Sequence, residues 1–145
     1  MDKWKMQDIN NLDFKELCES FYYYKRKMGY GPAAIEEYDA NVFICIFKDK
    51  EQLISNWKKI NYIIAFRVQK RIEKIIEKSN FYICLFVNES IGSDNKSKIQ
   101  RNSFCAKKYI FEEKLMNEKE YLERIEARIF SLGIEKTIGK TFKIN

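Results

Sequence analysis

The chain has no histidine in its 145 residues. That absence excludes histidine-based general base catalysis, Ser-His and Cys-His nucleophile pairs, and most zinc and non-haem iron chemistry. Glycine is scarce as well. None of the five glycines falls in the G-x-G-x-x-G or G-x-x-x-x-G-K-[ST] spacing that lets backbone amides approach a phosphate. Nucleotide binding is therefore not expected, and neither a cofactor nor a metal is called for. The four cysteines, Cys18, Cys45, Cys84 and Cys105, form no C-x-x-C pair, and Cys45 and Cys84 lie inside apolar runs, where a thiol acts as a small hydrophobe. Long apolar runs are missing too. Val42–Phe47 and Phe81–Val87 are strand-sized, whereas a bilayer span needs about 20 residues. The opening MDKWKMQDIN lacks the apolar core of a signal peptide, so a cytoplasmic protein with no membrane partner is expected.

What is present is globular material with surplus positive charge. Hydrophobic residues make up 46% and charged residues 33% of the chain, away from the disordered class. A chain of this length buries roughly 68–70% of its unfolded surface, and a single domain over 1–145 is expected. The formal net charge of +6 suits a nucleic-acid partner. A composition dominated by Lys, Ile and Asn accounts for it equally, and charge balance governs solubility and association rather than fold.

The spacing predicts a first helix over 13–27, with Asp13 and Glu16 as a capping box, Phe14, Leu17, Cys18 and Phe21 on one face, and Gly29 as its stop. GYGPAAIEEYDAN, which holds the single proline Pro32, reads as a loop. NVFICIF is apolar throughout 42–47 and reads as a strand covered on both faces. Asp49 and Gln52 form a second capping box that opens a long helix over 49–78. In it Leu53, Trp57, Ile60, Ile64, Val68, Ile72 and Ile75 recur every three or four residues, and Ile63, Phe66 and Ile76 widen the stripe. Such a helix would be roughly 45 Å long, more than a small core needs. NFYICLFVN supplies a second doubly covered strand near 81–87, so the three elements make a βαβ unit with parallel strands. ESIGSDNKSK reads as a polar loop and 107–111 as a short third strand. Asn117 and Glu120 cap a last helix over 117–132, with Leu122, Ile125, Ile129 and Leu132 as its apolar face and Gly133 as its stop. The fold class is α/β.

Three kinds of chemistry compete for this sequence. Asp94, Glu112 and Lys114 could form a PD-(D/E)xK-type nuclease site, in which two carboxylates hold a divalent cation and a lysine stabilises the attacking water. Asp94, however, lies in a loop-like segment with no proline before it. A DNA-binding module would use the aromatic-cationic stretch FYYYKRK, with Lys25, Arg26 and Lys27, together with Lys98 and Lys107. A subunit that binds other proteins accounts for the 15% aromatic content, the doubly covered strands and the over-wide apolar face of the long helix. The residues expected to touch a protein partner are Trp57, Tyr62, Phe66, Arg101, Phe104, Lys108 and Tyr109.

The order of NVFICIF, the long helix, NFYICLFVN and IQRNSFCAKKYIF resembles the middle-component family of ABC-three-component systems, a group that includes Lamassu-type antiphage defence. The residues that carry the resemblance are Asn80, Tyr82 and Phe86, then Ile99, Asn102, Phe104, Lys107, Lys108, Tyr109 and Ile110, over about half the chain from 41 to 111. Gln100 and Asn102 stand where the family tends to have acids. The resemblance implies a small non-catalytic adaptor beside an SMC/Rad50-like ABC ATPase and a separate, often nuclease-type, effector, with at most indirect or weak contact to DNA.

Overall fold

The computed structural model describes residues 3–9, 14–29 and 37–131. The chain divides into two compact units, 1–114 and 115–145. The first unit carries a five-stranded mixed sheet with strands in the order β1 (Trp4–Met6), β2 (Ser20–Met28), β3 (Tyr38–Phe47), β4 (Phe81–Val87) and β5 (Lys107–Phe111). β1, β2 and β3 pair antiparallel, whereas β3, β4 and β5 pair parallel. Parallel neighbours need a crossover. The first crossover is α1 (Lys50–Arg67), followed by a 3-10 turn at Gln69–Arg71 and the short α2 (Ile75–Lys78). The second is α3 (Ser93–Arg101). The expected α/β class and parallel βαβ unit are both present.

The register places Phe21, Cys45, Leu85 and Ile110 in one row across the sheet, and Tyr23, Phe43, Ile83 and Lys108 in the next. Leu53, Trp57, Ile60 and Ile64 of α1 and Ile99 of α3 join these rows in one core, so both crossover helices serve the same face. On the opposite face Val42, Ile44, Cys84, Phe86 and Phe111 are also buried, and Phe86 stacks on Phe111 at 4.3 Å. A strand buried on both faces has no polar side to alternate with, which explains the unbroken apolar runs.

The segment expected as a first helix is a strand. Asp13 lies outside the described residues. The Phe14 carbonyl accepts from the amides of Leu17 and Cys18, so the helical signal yields one turn, and from Ser20 the chain is extended. One turn is too short to persist as a helix. SFYYYKRKM is rich in aromatic strand formers, and pairing with β3 along its whole length outweighs local helix propensity. Phe14, Leu17, Cys18 and Phe21 are buried as expected, reached through a turn and a strand. The GYGPAAIEEYDAN loop is shorter than expected, because β3 already begins at Tyr38 to match Met28; Pro32 and residues 30–36 lie outside the described residues.

The long helix is also shorter. At 1.5 Å per residue, the 18 residues of α1 span about 27 Å. The crossover must carry the chain back along β3 so that β4 can begin beside Asn41, a strand length of about 23 Å over seven pairs. A 45 Å helix would overshoot. The chain breaks after Val68, and the Gln69 side chain donates to the Lys78 carbonyl across the break. Ile75, expected on the buried stripe, is 81% exposed. The cap itself is as expected. Asp49 accepts from the Gln52 amide at 2.9 Å, and the Gln52 side chain reaches back to the Lys48 amide.

ESIGSDNKSK is not all loop, since α3 begins at Ser93. Its single buried residue is Ile99, which hides the apolar period. The charges do fit a helix, with Asp94 in the first turn and Lys98 and Arg101 in the last.

In the second unit, α4 (Glu118–Ile125) starts at Asn117, whose side chain accepts from the Glu120 amide at 3.0 Å. It continues as a π-helical segment, Glu126–Ser131. The wider turn shifts the buried position, so Phe130, five residues after Ile125, is buried in place of the expected Ile129. Leu132 and Gly133 lie outside the described residues. Among the described residues no helix is long and apolar enough to cross a membrane.

Candidate functional site

Two aromatic rings one turn apart on α1 stand in solvent: Tyr62 is 54% and Phe66 62% exposed, with centroids 6.3 Å apart and ring planes within 9°. Phe104, from the turn between α3 and β5, joins them. Its ring lies 5.3 Å from that of Tyr62, tilted by 49°, and is 48% exposed. Large exposed apolar residues scattered singly need no explanation, but three in contact form a patch.

The turn that carries Phe104 is held from several sides. Its centre, Cys105, has φ of 71°, a left-handed conformation that is costly for a side chain with a Cβ. The Ala106 amide donates to the Phe104 carbonyl at 2.8 Å, closing a γ-turn of the rare positive-φ kind. The Phe104 amide donates to Oδ1 of Asn102 at 3.1 Å. Gln69 Nε2, beyond the end of α1, donates to the Cys105 carbonyl at 2.8 Å. From beneath, Lys108 Nζ donates to the Asn102 carbonyl (3.2 Å), to Asn102 Oδ1 (2.8 Å) and to the Phe104 carbonyl (2.5 Å). Lys108 is buried, with its charge met by dipoles, and burial pulls its pKa down to about 8. Burial pushes the Cys105 thiol up to about 11.

The expected partner residues therefore separate by position. Tyr62, Phe66 and Phe104 come together at the surface. Trp57 is a core residue beneath α1, and Lys108 is interior. Arg101 is exposed near the end of α3, where it lines an open concavity of about 480 Å³ with Lys96 and Gln100. Tyr109 is half-buried on the far face of the sheet, its ring 6.5 Å from that of Tyr82.

Residues 41–140 match the ABC-three component (ABC-3C) system Middle Component 1 family. The chain belongs to that family. Comparison with curated proteins and with solved structures yields no match. The middle-component match takes in β3 from Asn41 onward and all three rings of the platform. It leaves out β1 and β2.

The expected nucleic-acid residues of this middle component do not form one surface. Arg26 is buried, its guanidinium 5.8 Å from the centroid of the Trp4 ring and donating to the Lys27 carbonyl. Lys27 is exposed and pairs with Glu37 at 3.5 Å, and Lys25 is half-buried. Lys98 is exposed on α3. Lys107 is exposed on β5, with its ammonium 5.9 Å from the Tyr82 ring centroid.

Glu112 and Lys114 of the E-x-K sequence turn to separate partners. Glu112 accepts from Lys96 Nζ at 2.9 Å and from the Ile91 amide at 2.8 Å, which together hold its carboxyl below the usual range. Lys114 pairs with Glu19 at 3.0 Å. Asp94 is exposed in the first turn of α3. Among the described residues no group of three acidic, cysteine or histidine side chains gathers to hold a metal.

Gln69, Asn102 and Cys105 position the platform, and sequence reasoning missed them in that role. Asn102 two residues before an aromatic carries a faint signal, because a short amide side chain there can accept from the aromatic residue's amide. Nothing in the sequence marks Cys105 as left-handed.

Proposed function

We propose that this middle component is a non-catalytic adaptor in a bacterial antiphage defence complex of the Lamassu kind, joining an SMC/Rad50-like ABC ATPase to a nuclease-type effector. Membership of a three-component system implies protein partners. The observation that carries the adaptor reading is the exposed contact of Tyr62, Phe66 and Phe104, since fixed aromatic rings are favoured anchors of protein interfaces. Glu112 and Lys114 support the non-catalytic part, because each is engaged in a contact of its own fold.

The test is co-expression with the other two components of the same system. A tagged middle component should retain both at fixed stoichiometry, and deleting it should separate ATPase from effector. An ATPase–effector complex that survives its deletion unchanged would remove the adaptor reading.

A further inference from the structure

The positive charge of the chain is unevenly placed. Between Lys50 and Lys74 there are seven basic residues and two acidic ones, and between Ser93 and Lys107, leaving aside the interior Lys108, four basic and one acidic. Outside these stretches acids outnumber bases. The two basic stretches are those that supply the aromatic platform, Tyr62 and Phe66 from the first and Phe104 from the second. Lys58 and Lys59 are exposed and precede Tyr62 by four and three residues, so they share its side of α1.

We propose that the rings of Tyr62, Phe66 and Phe104, rimmed by Lys58 and Lys59, dock an acidic segment of another component that presents an apolar side chain to the rings. This rests on the adaptor reading and specifies the chemistry of its partner. Acidic side chains on the partner meet the cationic rim, which steers encounter and selects against basic surfaces. The apolar side chain enters among the rings, where binding energy concentrates. The strained Cys105 turn supports this use. A left-handed non-glycine residue persists only where its surroundings over-determine it, and here Gln69 donates to the Cys105 carbonyl and Lys108 to the Phe104 carbonyl. Phe104 is thus ordered before any partner arrives, and little of the binding energy is lost in fixing it.

Single-stranded nucleic acid would meet the same cations. Bases stack on open, parallel ring faces. Tyr62 and Phe66 are parallel to within 9°, which would suit a base. Phe104, however, stands at 49° to Tyr62 and closes one side of the patch as a wedge that fits an aliphatic side chain better than a planar base.

Hydrogen–deuterium exchange on the assembled three-component complex tests the proposal with the wild-type chain. Amides of Lys58–Arg67 and Asn102–Ala106 should exchange more slowly in the complex, and the partner segment protected with them should have an excess of Asp and Glu. The Tyr62→Ala/Phe66→Ala and Lys58→Glu/Lys59→Glu variants should each weaken assembly at least tenfold, and the wild-type affinity should fall as salt rises. Protection elsewhere, a neutral or basic partner segment, or full affinity in both variants would overturn the docking surface while leaving the adaptor reading intact. Failure of any complex to form would remove both. Fluorescence anisotropy with an oligothymidylate provides the remaining arm. Binding by the free chain that is lost in Tyr62→Ala/Phe66→Ala would assign the surface to single-stranded nucleic acid.

Discussion

The ammonium of Lys108 lies 2.5 Å from the carbonyl oxygen of Phe104. An interior cation thus holds the backbone of an exposed aromatic ring. The same ammonium meets Oδ1 of Asn102, which in turn accepts from the Phe104 amide. Both polar groups of the Phe104 peptide are therefore fixed by side chains of its own loop and strand, and the ring is delivered to Tyr62 with little freedom left.

Lys108→Met keeps an unbranched side chain, one heavy atom shorter, and removes the donors. It should lower the stability of the free chain by about 2 kcal/mol, the scale for leaving buried acceptors short of a partner. A pH signature distinguishes this from simple packing loss. The native lysine releases its proton at about pH 8, against an ordinary value of 10.5. Between those values the unfolded chain binds more protons than the native one, so the lysine's contribution to stability rises with pH and is lost as pH falls through 8. The thiols act oppositely. Cys105 is held up to about 11 and Cys45 well above its ordinary value, so unfolded thiols ionise first and stability declines above about pH 9. Subtracting the urea unfolding curves of Lys108→Met from those of wild type cancels Cys45, and leaves Lys108 together with the part of the Cys105 shift that Lys108 itself sets, which acts in the same direction. The difference should grow from pH 8 to 10.5, and a flat difference would mean that Lys108 is solvated.

Two residues of the expected partner set should behave in opposite ways. Trp57 is 5% exposed in the core, and Phe66 is 62% exposed. Trp57→Ala should cost about 3–5 kcal/mol through lost burial and a cavity. Phe66→Ala should change stability by about 0.5 kcal/mol or less. Urea denaturation of both variants is the check, and a large loss for Phe66→Ala would show that its ring packs within the free chain.

The parallel strands were legible in the sequence because both of their faces are buried, which leaves an apolar run at Val42–Phe47 and another at Phe81–Val87. The caps Asp49 and Asn117 were legible because a cap depends on residues three apart. The identity of β2 was hidden, since Phe14, Leu17, Cys18 and Phe21 have helical spacing, and only the pairing of Ser20–Met28 with β3 decides against it. α3 was hidden because it buries one residue, Ile99. For the site, the sequence offered candidates without sides. Tyr62 and Phe66 differ from Trp57 in which side of α1 they occupy, and that side is set by the tertiary contact with the sheet. Lys108 looked like one more surface lysine, although its place in the row with Phe43 and Ile83 turns it inward.

Glu112→Gln probes the E-x-K sequence. The native carboxyl is held below its ordinary 4.5 by the Lys96 hydrogen bond and then by the Ile91 amide. A depressed carboxyl contributes stability above its unfolded pKa and loses it as pH falls through the folded value. Wild type should therefore exceed the Gln variant by about 0.5–1 kcal/mol at neutral pH, the range for a partly exposed ion pair, and the gap should close on acidification. Millimolar Mg²⁺ should leave both melting temperatures unchanged. A Mg²⁺-dependent rise seen only in wild type would instead identify Glu112 as a metal ligand.

Asn61 precedes Tyr62 on α1 but is 3% exposed, and its side-chain oxygen meets no donor among the described residues. A buried acceptor without a partner opposes folding, so an apolar residue with the same branching at Cγ should do better there, provided the site accommodates its two bulkier methyl groups. Asn61→Leu should raise the stability of the free chain by about 1 kcal/mol, measured as a higher urea midpoint with an unchanged slope. Because the side chain faces inward while Tyr62 faces solvent, the substitution should leave assembly with the other components at wild-type affinity. A stabilised variant that no longer assembles would show that the Asn61 oxygen finds its donor only in the complex, which would extend the contact region from the aromatic rings into the flank of α1.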